Sequence, residues 1–156
     1  MSETVSLNNP VPSFDMESTE GELNSSSWKG SHTVLFFYPR NNTPGCTTES
    51  KDFRDLHEEF KKLDCKVYGI SRDTLGSHKR VVQKLELPYP LIADPEEVIC
   101  NIFGVMKHKK MFGKPVRGIE RSTFLFNKDG VLIKEWRKVS VSGHAQEVLN
   151  TVRENQ

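Results

Sequence analysis

Apolar residues fall along this chain in two rhythms. Thr33 to Tyr38 (TVLFFY) is an unbroken apolar run rich in β-branched and aromatic side chains, the pattern of a central strand buried on both faces. Past the loop Pro39-Arg40-Asn41-Asn42, the residues Phe53, Leu56, Phe60 and Leu63 recur at helical spacing. Thr43 followed by Pro44 is an N-cap residue with proline at the first helical position. The spacing therefore predicts a helix from about Pro44 to Leu63. Lys66 to Ser71 reads as the next strand, and Ser77 to Leu85, with Val81, Val82 and Leu85 on one face, as the next helix.

Asp94-Pro95-Glu96-Glu97 repeats the signal of a cap followed by proline and predicts a short helix carrying Val98, Ile99 and Phe103, ending near Gly104. Thr123 to Phe126 and Val131 to Trp136 are strand-like runs joined by Asn127-Lys128-Asp129-Gly130, whose Asp-Gly pair signals a hairpin. A last helix carries Ala145, Val148, Leu149 and Val152. Strands alternating with helices, then a hairpin and a helix, describe an α/β protein with a mixed central sheet and helices on both faces. Thioredoxin-like folds use this order.

The chain has 156 residues and no linker or internal repeat, so residues 1–156 are expected to form a single domain. Its 22 Lys and Arg balance 21 Asp and Glu, which gives no general electrostatic reason to bind nucleic acid or a membrane surface. The segment Lys107 to Arg117 (KHKKMFGKPVR) is a local basic cluster and reads as a solvated loop. The N-terminus lacks a basic start followed by an apolar run, and no apolar stretch approaches membrane-spanning length. A cytoplasmic protein is expected. Three widely spaced cysteines, Cys46, Cys65 and Cys100, cannot close a disulfide framework and fit a reducing compartment. The five histidines and three cysteines show no metal-ligand spacing, and neither a metal nor a cofactor is expected.

Cys46 is the candidate for chemistry. It follows the buried strand and falls within the first turn of the long helix, where unpaired N–H groups and the helix dipole favour a thiolate. Free cysteine is often a small core residue, yet a capped helix start flanked by proline and glycine at a strand end is a loop site. Phe36, Phe37 and Tyr38 read mostly as core, and Arg40 as a solvated loop charge.

Pro39, Thr43 and Cys46 reproduce the PxxxTxxC active-site motif of peroxiredoxins. The longer match, Pro12-Ser13-Phe14 and FFYPRNNTPGCTTE together with YGIS, Lys110-Met111-Phe112-Gly113-Lys114, GIERSTFLF and GHAQEVL, resembles the bacterioferritin comigratory protein or peroxiredoxin Q branch nearly from end to end. The resemblance implies that Cys46 attacks peroxide and that the Thr43 hydroxyl bonds the substrate. It also implies that Pro39 shields the sulfur and that Arg121 holds the thiolate and the peroxide oxygens. The implied activity is antioxidant thiol peroxidase action on hydrogen peroxide and organic hydroperoxides, by a monomer or weak homodimer.

Many members of this branch carry a resolving cysteine five residues after the first, where this chain has Lys51, or in the following helix, which here has none. Apolar neighbours make Cys65 and Cys100 read as packing residues. The expectation is a one-cysteine enzyme whose sulfenic acid is resolved by an external thiol, thioredoxin or glutathione with glutaredoxin. Two rival readings stand beside it. A thioredoxin-fold disulfide reductase would need a second cysteine near the first, and position 49 is Glu. A non-catalytic redox sensor or holdase would be oxidised once rather than repeatedly.

Overall fold

The computed structural model describes residues 4–156. Seven strands form one twisted sheet in the order β2-β1-β5-β4-β3-β8-β9. These are β1 (Asp15–Ser18), β2 (Gly21–Asn24), β3 (His32–Phe37), β4 (Cys65–Ser71), β5 (Leu91–Ala93), β8 (Ser122–Phe126) and β9 (Leu132–Arg137). β3, β4 and β5 run parallel, while β8 and β9 return antiparallel on one side and β1 and β2 on the other. The apolar run in β3 needs two buried faces because both are covered. Val34 and Phe36 pack with residues of α1 (Pro44–Asp55), α2 (His57–Lys62), α3 (Leu75–Leu85) and α5 (His144–Glu154). Leu35 and Phe37 pack on the opposite side with Trp28 and with Ile99 and Phe103 of α4 (Val98–Phe103). Helices lie on both faces of a mixed sheet, as the patterning implied.

One glycine positions the helix that matters most. Gly69 of β4 pairs with Phe36, and a Cβ at Gly69 would lie 2.8 Å from both Phe36 Cζ and Leu91 Cδ2. The space left open holds the Phe36 ring, which stacks on Phe53 of α1 at 4.5 Å between centroids. That contact seats α1 on the sheet.

Four features depart from the patterning. The long helix is broken at Leu56, whose backbone (φ −98°, ψ 1°) leaves helical values, and α2 begins at His57. Phe60 of α2 joins Phe53 of α1 in the core, with centroids 6.0 Å apart. Asp94 does cap α4, but from a distance. Pro95 and Glu96 form a turn, the Asp94 carboxylate accepts from the Ile99 and Cys100 amides at 3.1 and 2.7 Å, and the helix begins only at Val98. The basic segment is not a loop but the hairpin β6 (Met106–Met111) and β7 (Lys114–Ile119). Its turn puts Phe112 and Gly113 at φ 54° and 77°, and a phenylalanine there disguises a turn normally read from Asn-Gly. The short strands β1, β2 and β5 carry too few residues for a period to register.

Candidate active site

β3 and β4 end at the same edge of the sheet, and the loop 38–43 carries the chain from β3 into α1. Cys46 is the third residue of α1 and is 2% exposed. Thr43 is the N-cap, yet its side chain does not cap; its hydroxyl donates to the Arg40 carbonyl at 3.0 Å. With its proton so committed, the Thr43 oxygen faces any ligand as an acceptor. Pro39 is half-buried at the bend that closes β3, and Arg40 is exposed.

Arg121 reaches the same point from 75 residues further along, immediately before β8. β8 is antiparallel to β3, so its first residues lie beside the last of β3, and Ser122 pairs with Phe37. Arg121 Nη2 donates to Cys46 Sγ at 3.4 Å, and Nη1 donates to Glu49 Oε1 at 2.6 Å. Gly45 leaves room for this reach, since a Cβ there would come within 3.3 Å of Nη2. A fixed guanidinium beside sulfur at a helix N-terminus supplies donors to oxygen atoms bound next to it.

Glu49 is the residue that the pattern did not single out. One turn after Cys46, it reads as an ordinary helix-forming glutamate, but it is 1% exposed and its Oε2 has no partner. Burial pushes its carboxyl up to about 7 against the pull of Arg121. At neutral pH this acid therefore stands near its midpoint, and it orients the guanidinium that contacts sulfur.

A second polar group fixes the loop from beneath. The Tyr38 hydroxyl donates to Asn41 Oδ1 at 2.7 Å, Asn41 Nδ2 donates to Ser77 Oγ at 3.0 Å, and the Asn41 amide donates to Asp73 Oδ2 at 2.9 Å. His78, fully buried with its pKa lowered by burial, lies 3.1 Å from Asn41 and 3.4 Å from Tyr38. These groups tie the loop to the start of α3 and hold the entry to α1 rigid. The signal for them was present in Asn41, read only as a loop former.

The other cysteines lie elsewhere. All three thiols are free. Cys65 pairs with His32 at the opposite end of β3, a strand length of roughly 20 Å away. Its thiol is pushed up to about 12 by burial and the nearby Asp64. Cys100 sits in the core on the far face of the sheet. No group of three or more His, Cys, Asp or Glu among the described residues could hold a metal ion, and no helix among them is long and apolar enough to cross a membrane.

The AhpC/TSA family model matches residues 7–135, which include the loop, Cys46, Glu49 and Arg121. This chain belongs to the AhpC/TSA family of peroxiredoxins. It is 45% identical to peroxiredoxin Bcp of Bacillus subtilis over 97% of each chain, and 47% identical to that of Xanthomonas campestris over 80% of this chain and 78% of the other. Among solved structures, the bacterioferritin comigratory protein of Xanthomonas campestris, described for its alkyl peroxide reduction, superposes with a TM-score of 0.87 at 40% identity, covering 91% of each chain. A cysteine-to-serine mutant of peroxiredoxin Q from Xylella fastidiosa gives 0.91 at 33% identity over 99% of each. The fold is thus the thioredoxin fold of peroxiredoxins, and the function is that of a thiol peroxidase.

In this peroxiredoxin the three residues singled out from the motif and Arg121 fall into two groups. Cys46 and Arg121 are in contact, while Thr43 and Pro39 line the loop that leads to them. Glu49 extends the contacting pair to three.

Proposed function

We propose that Cys46 is the peroxidatic residue of a one-cysteine cycle run by a single domain, 1–156, in the cytoplasm, as a monomer or weak homodimer. The observation that carries this reading is the guanidinium of Arg121 donating to Sγ at the N-terminus of α1. The thiolate attacks one oxygen of a hydrogen peroxide or organic hydroperoxide, an S–O bond forms and the O–O bond breaks. The departing oxygen takes a proton and leaves as water or alcohol. Charge grows on that oxygen during the step, and the Arg121 guanidinium is placed to receive it. Thr43 accepts the peroxide O–H, and Pro39 keeps water from the sulfur.

The sulfenic acid then meets a thiol from outside. Lys51 stands where an in-helix partner would be, α3 has no cysteine, Cys65 lies at the other end of the sheet and Cys100 on its other face. A disulfide needs Cα atoms within about 7 Å, which supports resolution by thioredoxin or by glutathione with glutaredoxin. The thiol forms a mixed disulfide with Cys46 and releases water, and a second thiol frees Cys46.

The test is one equivalent of hydrogen peroxide with a sulfenic-acid trap, read by intact mass and peptide mapping. Trapping on Cys46, none in Cys46→Ser and no internal disulfide are expected. A bond from Cys46 to Cys65 or Cys100 would restore a two-cysteine cycle, and an unreacted Cys46 would remove the peroxidase assignment.

A further inference from the structure

The hairpin β6–β7 carries Lys107, Lys109, Lys110, Lys114 and Arg117 with no acidic residue between them. Against a net charge of +1 for the whole chain, this ribbon of +5 leaves −4 on everything else. Its tip presents Phe112, which is 99% exposed, and Val116 on β7 is 37% exposed. A wholly exposed phenylalanine adds nothing to the protein's own core.

The root of the ribbon is packed while Phe112 at its tip is exposed. Val105 and Ile119 are buried, the Glu120 amide donates to the Val105 carbonyl at 2.8 Å, and Arg117 Nη1 donates to Glu97 Oε2 at 2.8 Å. Arg72, at the end of β4 next to the Asp73 that holds the active-site loop, shares Glu97 at 3.1 Å. β7 ends at Ile119, two residues before Arg121. A six-residue ribbon extends roughly 20 Å, so a basic arm with an aromatic tip is rooted two residues from Arg121, which contacts Cys46.

We infer that this arm docks the protein that reduces Cys46, an acidic thiol-bearing redoxin, and the inference rests on the one-cysteine reading above. Without a resolving cysteine of its own, the site must recruit a thiol, and a charged arm beside it steers one in. Phe112 supplies the apolar anchor that charge alone lacks. A small thiol cannot bridge an arm of this length, so the arm selects a protein donor. Nucleic acid is disfavoured by the −4 carried by the rest of the chain. A second copy would offer the trough of about 630 Å³ lined by Asp15, Glu17, Glu22, Asp94 and Glu96, and self-association is one outcome of the test.

The experiment compares the wild type with a Lys107→Glu, Lys109→Glu, Lys110→Glu triple variant and with Phe112→Asn, chosen because asparagine tolerates the positive φ of that turn. The probes are a thioredoxin of net negative charge, recycled by its reductase, and dithiothreitol. Peroxide consumption, trapping of Cys46 and binding of the thioredoxin by fluorescence anisotropy are measured at low and high salt. Expected for the triple variant are a loss of tenfold or more in kcat/KM for thioredoxin, a matching loss of binding, a flattened salt dependence, and unchanged trapping and dithiothreitol-supported turnover. Phe112→Asn should lose several-fold at every salt concentration. Thioredoxin kinetics and binding within twofold of wild type would overturn the proposal, as would lost self-association by sedimentation with thioredoxin turnover intact. Failure of Cys46 to react in the wild type would sink the peroxidase reading, while the anisotropy arm still decides the docking.

Discussion

Cys46 and Cys100 occupy equivalent places in two helices. Each is the third residue of a helix that follows a strand of the same sheet, and both are buried, at 2% and 0% exposure. Helix position and burial therefore do not distinguish them. The neighbour does. Cys46 receives a hydrogen bond from the Arg121 guanidinium, whereas the start of α4 is already occupied by the Asp94 carboxylate, which accepts from two of its amides. Burial and the Asp94 charge push the Cys100 thiol far up, out of reach of the thiolate form. A helix N-terminus makes a reactive cysteine only when its dipole is left unspent and a cation stands beside the sulfur.

The comparison is broken most severely by exchanging the two sulfurs for oxygen in turn. Cys46→Ser should lower peroxide turnover by about a thousandfold or more, while Cys100→Ser should leave it within twofold and cost about 1 kcal/mol in denaturant unfolding. Equal losses would show that Cys100 takes part in the cycle. Next, Arg121→Met should slow oxidation of Cys46 by about a hundredfold in stopped-flow measurements and bring its alkylation by iodoacetamide toward the slow rate of Cys100. A variant that kept the wild-type rate would mean that the dipole alone suffices.

Glu49→Gln acts on the cation rather than on sulfur. Because the folded protein holds the Glu49 proton more tightly than the unfolded chain does, the stabilisation it brings is fullest below about pH 4.5 and is lost as pH rises through about 7. Wild type should thus fall by roughly 1–3 kcal/mol relative to Glu49→Gln between pH 4.5 and 8, and parallel stability curves would show that Glu49 is ionised throughout. The smallest effect is expected of Gly45→Ala, which crowds Nη2 of Arg121 by a few tenths of an ångström and should reduce oxidation by about threefold.

Much of this was legible in the chain for local reasons. Thr43-Pro44 announced the start of α1 because capping and proline restrict only neighbouring residues, and TVLFFY announced β3 because both faces of the sheet are covered. Arg121 was legible only through family likeness, since its meeting with Cys46 depends on β8 returning antiparallel beside β3. Glu49 escaped because nothing local separates a buried helical glutamate from an exposed one. Asp94 was rightly read as a cap, but the turn at Pro95 moved the helix three residues on from the expected start. The ribbon β6–β7 was read by its charge, which describes what it meets rather than how it pairs.

The near-complete burial of Cys46 has a consequence of scale. At 2% exposure, a small peroxide needs far less of the sulfur bared than the thiol of a folded protein does. In the proposed cycle the substrate therefore meets the closed shape, and a protein reductant must wait until the first turn of α1 gives way. Recovery by a protein thiol then depends on how often that turn opens, and oxidation does not.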